Sequence, residues 1–160
     1  MEIFTYHPIG ILHTPFTEAS GMPIQPHGAL GVKGSIELFP EFADGLKDLE
    51  TFSHIILLYH FHRAPSSRLR VVPFMDSEEH GVFATRAPTR PNPIGLSVVR
   101  LREVQGTRLA IENVDMLDGT PLLDIKPYAP AFDHWEVESA GWLTTRQQQV
   151  QATRSDKRFE

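Results

Sequence analysis

Apolar and polar residues alternate over short stretches, which predicts a chain built mostly from β-strands. The most apolar run, residues 52–62, is interpreted as a central strand that is buried on both faces. A first strand is predicted over residues 3–14, and a short helix over residues 41–49 follows Pro40. The remaining predicted strands are residues 35–39, 69–74, 81–85, 96–104, 108–114 and 122–125.

This pattern predicts a mainly β fold. Short strands at roughly even spacing, with one or two short helices, favour a barrel or a sandwich. A doubly wound α/β fold is excluded because the long helices that would alternate with its strands are missing from the pattern. Residues 1–143 are interpreted as a single domain. The polar residues 144–160 are predicted to form a C-terminal tail that is frayed over residues 155–160.

Composition narrows the class of protein. A chain of 160 residues is long enough for one domain with its own core. The absence of cysteine excludes disulfides, thiolate metal centres and thiol nucleophiles. No apolar run approaches the ~18 residues of a membrane span, and the first residues lack the pattern of a signal peptide. We therefore expect a cytoplasmic protein without a membrane partner.

The formal net charge of −5 hides a basic middle third. Residues 51–102 carry 7 basic and 3 acidic side chains, and every basic one is arginine. Guanidinium groups bind carboxylates and phosphates through paired hydrogen bonds, although solvated strand ends would explain the same residues. The net charge therefore does not exclude RNA as a partner. The arginines are Arg63, Arg68, Arg70, Arg86, Arg90, Arg100 and Arg102.

A proline-rich loop over residues 86–95 holds two of these arginines, Arg86 and Arg90. Prolines on both sides reduce the entropy that the loop loses on ordering. Such a loop can position guanidinium groups before a ligand arrives, which favours binding. The alternative is that the prolines only make a rigid connection, but that does not explain two arginines in the same stiffened turn.

Histidines raise the question of a metal site. His54, His60 and His62 share one face of the predicted central strand. His60 and His62 could bind a metal ion together with His80 or a carboxylate. A His-x-His pair alone is a weak signal, and the alternative, which we favour, is local hydrogen bonding at the end of a strand.

Residues 117–128 contain a third candidate for chemistry. Asp118 and Gly119 predict a tight turn whose carboxylate could accept a hydrogen bond from a ribose hydroxyl. A plain hairpin turn explains them equally well. Asp124 and Lys126 lie on the same face of the next predicted strand, so they could form an ion pair.

Several motifs, in the same order along the chain, resemble the TsaA-like (TrmO-type) family. The longest is GVFATRAPTRPNPIGLS at residues 81–97, and LDGTPLLDIKPY follows at residues 117–128. GMPIQP at residues 21–26 resembles the first cofactor loop of that family. LETFSH at residues 49–54, with Phe61 and His62, resembles its central strand.

The resemblance implies a small closed β-barrel of about six or seven strands with one or two short helices. It implies an enzyme that uses S-adenosylmethionine to methylate the N6 nitrogen of threonylcarbamoyladenosine beside the tRNA anticodon. It further implies a homodimer with the cofactor site near the interface. We expect no DNA partner. The residues that match cofactor positions of the family are Pro23, Ile24, Gln25, His62, Arg63, Arg86, Leu117, Asp118, Gly119 and Thr120.

The proton acceptor and the substrate stay open at this point. His62, Asp118 and Asp124 are candidate bases, and no metal ion is expected. Substrate binding is predicted for Arg90, Asn92 and Lys126. Two alternatives remain: a barrel that binds S-adenosylmethionine or another small anion without catalysis, and a methyltransferase with a different substrate.

Overall fold

The computed structural model describes residues 2–160, and its core is a closed barrel of six antiparallel strands. Hydrogen-bonded neighbours around the barrel follow the order β1-β2-β7-β6-β3-β8, and β8 pairs with β1 to close it. β4 and β5 form a separate two-stranded sheet. The mainly β, closed-barrel prediction is confirmed. The strands are β1 (Gly10–His13), β2 (Lys33–Leu38), β3 (His54–His60), β4 (Arg70–Val71), β5 (His80–Gly81), β6 (Ile94–Gln105), β7 (Arg108–Glu112) and β8 (Thr120–Pro127).

Helical structure is limited to short turns between and after the strands. The single α-helix among residues 2–160, α1, spans Pro130–Asp133. None of the helices described is long and apolar enough to cross a bilayer. The 3₁₀ turns are Pro26–Gly28, Pro40–Leu46, Leu49–Thr51, Val82–Ala84, Gly141–Thr145, Gln147–Gln149 and Lys157–Phe159.

Side-chain alternation along the strands fills the barrel. On β3, Ile55, Leu57 and Tyr59 point inward and are at most 3% exposed, while the residues between them are only half-buried. The prediction that this strand is buried on both faces is therefore wrong, because in a small barrel only one face of each strand meets the core. Burial of each such apolar side chain contributes about 1.5–3 kcal/mol.

Three further predictions fail for local reasons. Of the strand predicted over residues 81–85, only Gly81 is in a strand, and Val82–Ala84 form a 3₁₀ turn. The first strand covers only Gly10–His13 of the predicted residues 3–14, because only these residues find pairing partners in β2 and β8. The predicted helix over residues 41–49 is instead a pair of 3₁₀ turns. Asp48 separates them in a left-handed conformation (φ 68°), which interrupts helical hydrogen bonding.

The C-terminal residues are ordered, so the predicted fraying of residues 155–160 is wrong. The backbone of Ser155 exchanges hydrogen bonds with the loop that carries Gly21 and Met22. Phe159 packs edge-on against Phe74 at a centroid distance of 4.9 Å. Polar composition at this end therefore reflects a segment that binds through hydrogen bonds rather than one that lacks structure.

Candidate functional site

One end of the barrel carries a pocket of about 350 Å³. β3 runs antiparallel to both β6 and β8, so the C-terminal end of β3 meets the N-terminal ends of its two neighbours there. Loops that precede or follow these three ends supply most of the walls. Apolar side chains dominate those walls, and they include Met22, Phe61, Phe74, Ile94, Leu96, Met116 and Phe159.

The structure brings eight of the ten predicted cofactor residues to this pocket. They come from four separate parts of the chain, which only the closed barrel makes neighbours. These eight are Pro23, Ile24, Gln25, His62, Arg63, Arg86, Leu117 and Thr120. Asp118 and Gly119 do not line the pocket.

Asp118 faces away from the pocket for a clear structural reason. Its Oδ1 accepts a hydrogen bond of 3.0 Å from the backbone N–H of Thr14 and lies 3.4 Å from the ring of His13. Gly119 turns the chain with a φ of 74°, in the left-handed region that glycine tolerates. The carboxylate thus fixes the turn to β1, and a ribose contact through it stays a prediction.

Arginines at the pocket are held by polar atoms of the protein. Arg86 donates a hydrogen bond of 3.0 Å to the side-chain oxygen of Gln25, so two predicted cofactor residues contact each other. Arg63 donates a hydrogen bond of 2.8 Å to the backbone oxygen of Thr17. Both guanidinium groups keep further N–H donors for a ligand, since each hydrogen bond uses one of five.

Arg90 lines the pocket, but one of its terminal nitrogens binds the turn that precedes its loop. Nη1 donates to the backbone oxygens of Val82 and Thr85 at 3.1 and 2.8 Å. The guanidinium also lies 5.9 Å from the centroid of the Phe83 ring. These contacts make Arg90 a brace for the proline-rich loop, and a substrate contact by this residue stays a prediction.

The other predicted substrate and base residues lie outside the pocket walls. Asn92 is exposed and does not line the pocket. Asp124 and Lys126 form an ion pair of 2.7 Å, as their spacing predicted, but on the outer side of β8. No role in chemistry at the pocket follows from the positions of these three residues.

The structure places His80 away from His60 and His62, with partners of its own. Within residues 2–160 no group of three or more metal-binding side chains comes together. His80 instead contacts the carboxylate of Asp76 at 2.9 Å and stacks on Trp142. His62 lines the pocket, and its Nδ1 lies 3.4 Å from the hydroxyl of Thr120. Burial, then the neighbouring charge of Arg63 and that of His60, hold the pKa of His62 below its usual 6.5.

Sequence reasoning missed Asp115, which lines the pocket between β7 and β8. Ser97 donates a hydrogen bond of 2.6 Å to its Oδ1, and the hydroxyl of Tyr59 lies 3.0 Å from that of Ser97. Burial raises the pKa of Asp115 from 3.8 to about 7, against the opposing effects of Ser97 and of the charge of Arg86. The signal in the sequence was Ser97, a polar residue on the apolar inward face of β6.

Gly95 makes room for this polar cluster. A Cβ atom at residue 95 would collide with the ring of Tyr59. Because residue 95 has no side chain, the Tyr59 ring can lie against its backbone and bring the Tyr59 hydroxyl to Ser97. This close approach explains a glycine at a paired position near the start of β6, where glycine is otherwise unfavourable.

Comparisons with known proteins agree with this geometry. The family profile described as the tRNA-methyltransferase O N-terminal domain matches residues 11–134, most of the chain. The chain belongs to this family. The recognition of a TrmO-type barrel is thereby confirmed.

Relatives and solved structures extend the likeness. A probable S-adenosyl-L-methionine-binding protein of Pyrococcus abyssi is 58% identical over 96% of this chain and 84% of its own. The tRNA (adenine(37)-N6)-methyltransferase of Escherichia coli is 36% identical over 81% of this chain and 60% of its own. The crystal structure of TrmO from Pseudomonas aeruginosa superposes with a TM-score of 0.74 at 40% identity, over 88% of this chain and 63% of that one. The chain therefore spans about 60% of the length of these two bacterial relatives.

Proposed function

We propose that this protein is an S-adenosylmethionine-dependent methyltransferase that holds its cofactor in the pocket at the end of the barrel. The observation that carries the proposal is the convergence of eight family cofactor positions on one pocket of about 350 Å³. A pocket of this volume is within the range of small-molecule sites. Family membership and the names of the relatives support the same cofactor.

The residues present fit the chemical groups of S-adenosylmethionine. Arg63 and Arg86 offer free N–H donors to its carboxylate. Apolar side chains such as Ile24, Phe61 and Leu117 suit the adenosine part. When bound, the cofactor supplies a methyl carbon on a positively charged sulfur, which needs no electrophilic activation.

We propose the N6 nitrogen of threonylcarbamoyladenosine in tRNA as the methyl acceptor. The tRNA (adenine(37)-N6)-methyltransferase name of the E. coli relative supports adenine N6 in tRNA. The threonylcarbamoyl group rests on the resemblance of the sequence motifs alone. In the pocket, the protein must orient this nitrogen toward the methyl carbon and exclude water. Apolar walls that include Ile94 and Leu96 favour exclusion of water.

Methylation also requires that the nitrogen lose its proton, and Asp115 is our proposed acceptor. A carboxylate with a pKa of about 7 is a stronger base than one at the usual value of 3.8, yet it is still largely ionised above neutral pH. His62, the remaining candidate at the pocket, is the weaker base because its pKa is lowered. Asp118 and Asp124 are less suited because neither lines the pocket.

A homodimer with the cofactor site near its interface is also part of this proposal. Phe83 is 75% exposed beside the pocket, and Ile94 and Leu96, both pocket residues, are 42% and 45% exposed. A second copy that covers this surface would remove apolar area from water and narrow the pocket mouth. Light scattering of the purified protein, with Phe83→Ser as the variant, tests the dimer: the parent should be a dimer and the variant should dissociate more readily.

Cytoplasmic location, and the absence of membrane and DNA partners, remain predictions.

The decisive experiment measures nucleosides. Incubation of the purified protein with S-adenosylmethionine and tRNA that carries threonylcarbamoyladenosine should yield the N6-methylated nucleoside by mass spectrometry. Methylation only of adenosine that lacks the threonylcarbamoyl group contradicts the proposed substrate. Failure to methylate any tRNA contradicts it as well.

A binding protein without transferase activity is the second candidate. It is supported by the archaeal relatives, which are named for binding of S-adenosylmethionine alone. Titration calorimetry with S-adenosylmethionine tests the cofactor assignment that both candidates share. Binding without methyl transfer to any tRNA favours the binding protein, and no binding at all contradicts both.

A further inference from the structure

The C-terminal segment, residues 154–159, is bound to the predicted cofactor loop. The backbone N–H of Gly21 donates a hydrogen bond of 2.8 Å to the backbone oxygen of Ser155. The backbone N–H of Ser155 donates one of 2.9 Å to the backbone oxygen of Met22. Arg154 forms a β-bridge with Pro23. The hydroxyl of Ser155 accepts from the Met22 N–H at 2.8 Å and donates to the Ala19 oxygen. Ser155 therefore fixes the backbone on the N-terminal side of Pro23, Ile24 and Gln25.

The same segment binds a second loop of the pocket. The Arg158 side chain donates a hydrogen bond of 2.7 Å to the backbone oxygen of Pro73. Its guanidinium lies 5.3 Å from the centroid of the Phe74 ring. Phe159 packs on that ring from the side. Ser155 and Phe159 line the pocket together with Phe74. The segment thus cross-links two loops and supplies part of the pocket wall.

A preceding anchor restricts where the segment can lie. Arg146 forms an ion pair of 2.9 Å with Asp76, a side chain that His80 also contacts. The indole N–H of Trp142 donates a hydrogen bond of 2.8 Å to the backbone oxygen of Ala84, which lies shortly before the proline-rich loop in the chain. With its origin fixed near residue 142, the segment needs to search little space to reach the pocket, so its docking costs less entropy.

We propose that residues 154–159 are a functional part of the ligand site, in which Ser155 positions the loop of residues 19–25 and Phe159 forms a wall against the bound cofactor. This inference rests on the proposed function and adds residues outside the family match, which ends at residue 134. The match to the P. abyssi relative covers 96% of the chain, so it continues well past residue 134.

The charge of the segment is consistent with this role. Asp156 lines the pocket, but its carboxylate accepts three hydrogen bonds of 2.7–3.0 Å from the Arg158 side chain. The guanidinium of Arg158 thus compensates the charge of this acid, which would otherwise repel the carboxylate of the cofactor. The segment offers the ligand an aromatic ring and a neutralised acid, while its Ser155 hydroxyl is used to hold the loop.

Titration calorimetry with S-adenosylmethionine on full-length variants tests the proposal. Phe159→Ala should raise Kd about tenfold, and Ser155→Ala about fivefold, because one removes a wall and the other removes the hydroxyl contacts of the loop. Phe159→Leu, which keeps apolar bulk, should change Kd less than threefold. Lys47→Ala is the control, since Lys47 is exposed, lies outside the C-terminal segment and does not line the pocket.

Amide hydrogen exchange provides a readout that does not need the cofactor. Ser155→Ala should speed exchange at Gly21 and Met22, while the barrel strands keep their protection. Unchanged Kd in both alanine variants, or unchanged exchange at these amides, overturns the proposal. If the parent protein does not bind S-adenosylmethionine, the proposed function fails, and so does the wall role of Phe159, while the exchange data still decide whether Ser155 positions the loop.

Discussion

The barrel and the frame of its pocket are stabilised by different interactions. The barrel interior is apolar: Leu12, Ile36 and Leu57 are completely buried, and strand pairing satisfies the backbone around them. The pocket frame consists of loops joined by a few polar contacts, such as those of Arg86 with Gln25 or of Ser155 with Met22. A change in the barrel should therefore affect the stability of the whole protein, whereas a change in the frame should affect the ligand first.

The largest effect is expected from a cavity in the barrel. Leu57→Ala should lower the free energy of unfolding by about 2–5 kcal/mol, because it removes transfer energy and leaves a void. Urea denaturation followed by circular dichroism measures this change. The control is Leu30→Ala, since Leu30 is 66% exposed, and its effect should stay within about 0.5 kcal/mol. Equal effects of the two variants contradict the distinction between core and surface.

Asp115 lies where the two regions meet, and its removal should affect the reaction more than folding. Asp115→Asn should lower the methylation rate at neutral pH about 100-fold, the lower range for loss of a general base, with little change in Kd for the cofactor. For the parent, the rate should rise with pH up to about 7 and then level off, because only the ionised carboxyl accepts a proton. The variant should lose this rise. If His62→Gln abolishes the rise instead, the acceptor is His62.

The same group gives a stability test with a defined sign. The pKa of Asp115 is raised from 3.8 to about 7, so within this window the folded protein holds a proton that the unfolded chain has lost. Stability should therefore fall as pH rises from about 4 to 7 and become constant with respect to this group above 7. Asp115→Asn should remove this part of the pH dependence. Thermal unfolding at several pH values measures it.

Arg86→Ala should weaken the cofactor site with little effect on the barrel. Loss of the guanidinium removes a charge-assisted contact with the cofactor carboxylate and releases Gln25, so Kd should rise about tenfold, or 1.4 kcal/mol. Arg86→Lys should recover only part of this affinity, because an ammonium lacks the planar fork. Arg108→Ala makes the same charge change on β7, away from the pocket, and should bind normally. Equal affinity of Arg86→Ala and Arg108→Ala excludes Arg86 from the site.

The sequence predicted the barrel and the frame to different extents. The positions of most barrel strands followed from alternation, and the motifs identified eight cofactor residues of the pocket, because both signals are local in the chain. Asp115 was missed because its significance depends on Ser97 and Tyr59, which belong to other strands. The role of Ser155 was missed because its partners lie more than 130 residues away. Contacts of this range depend on closure of the barrel, which no local pattern records.

Lys126→Ala should have the smallest effect on the isolated protein. The ion pair with Asp124 is exposed, so stability should change by about 0.5 kcal/mol or less, and cofactor affinity should not change. A substrate role predicts a separate effect: the slope of log affinity for tRNA against log salt should decrease by about one, because one phosphate contact is lost. Lys47→Ala, another exposed lysine outside the pocket walls, is the control. If the slope for Lys126→Ala is unchanged, Lys126 does not contact tRNA and this end of β8 is only part of the barrel wall. If the slope is reduced, the RNA-binding surface includes this end of β8 as well as the pocket frame.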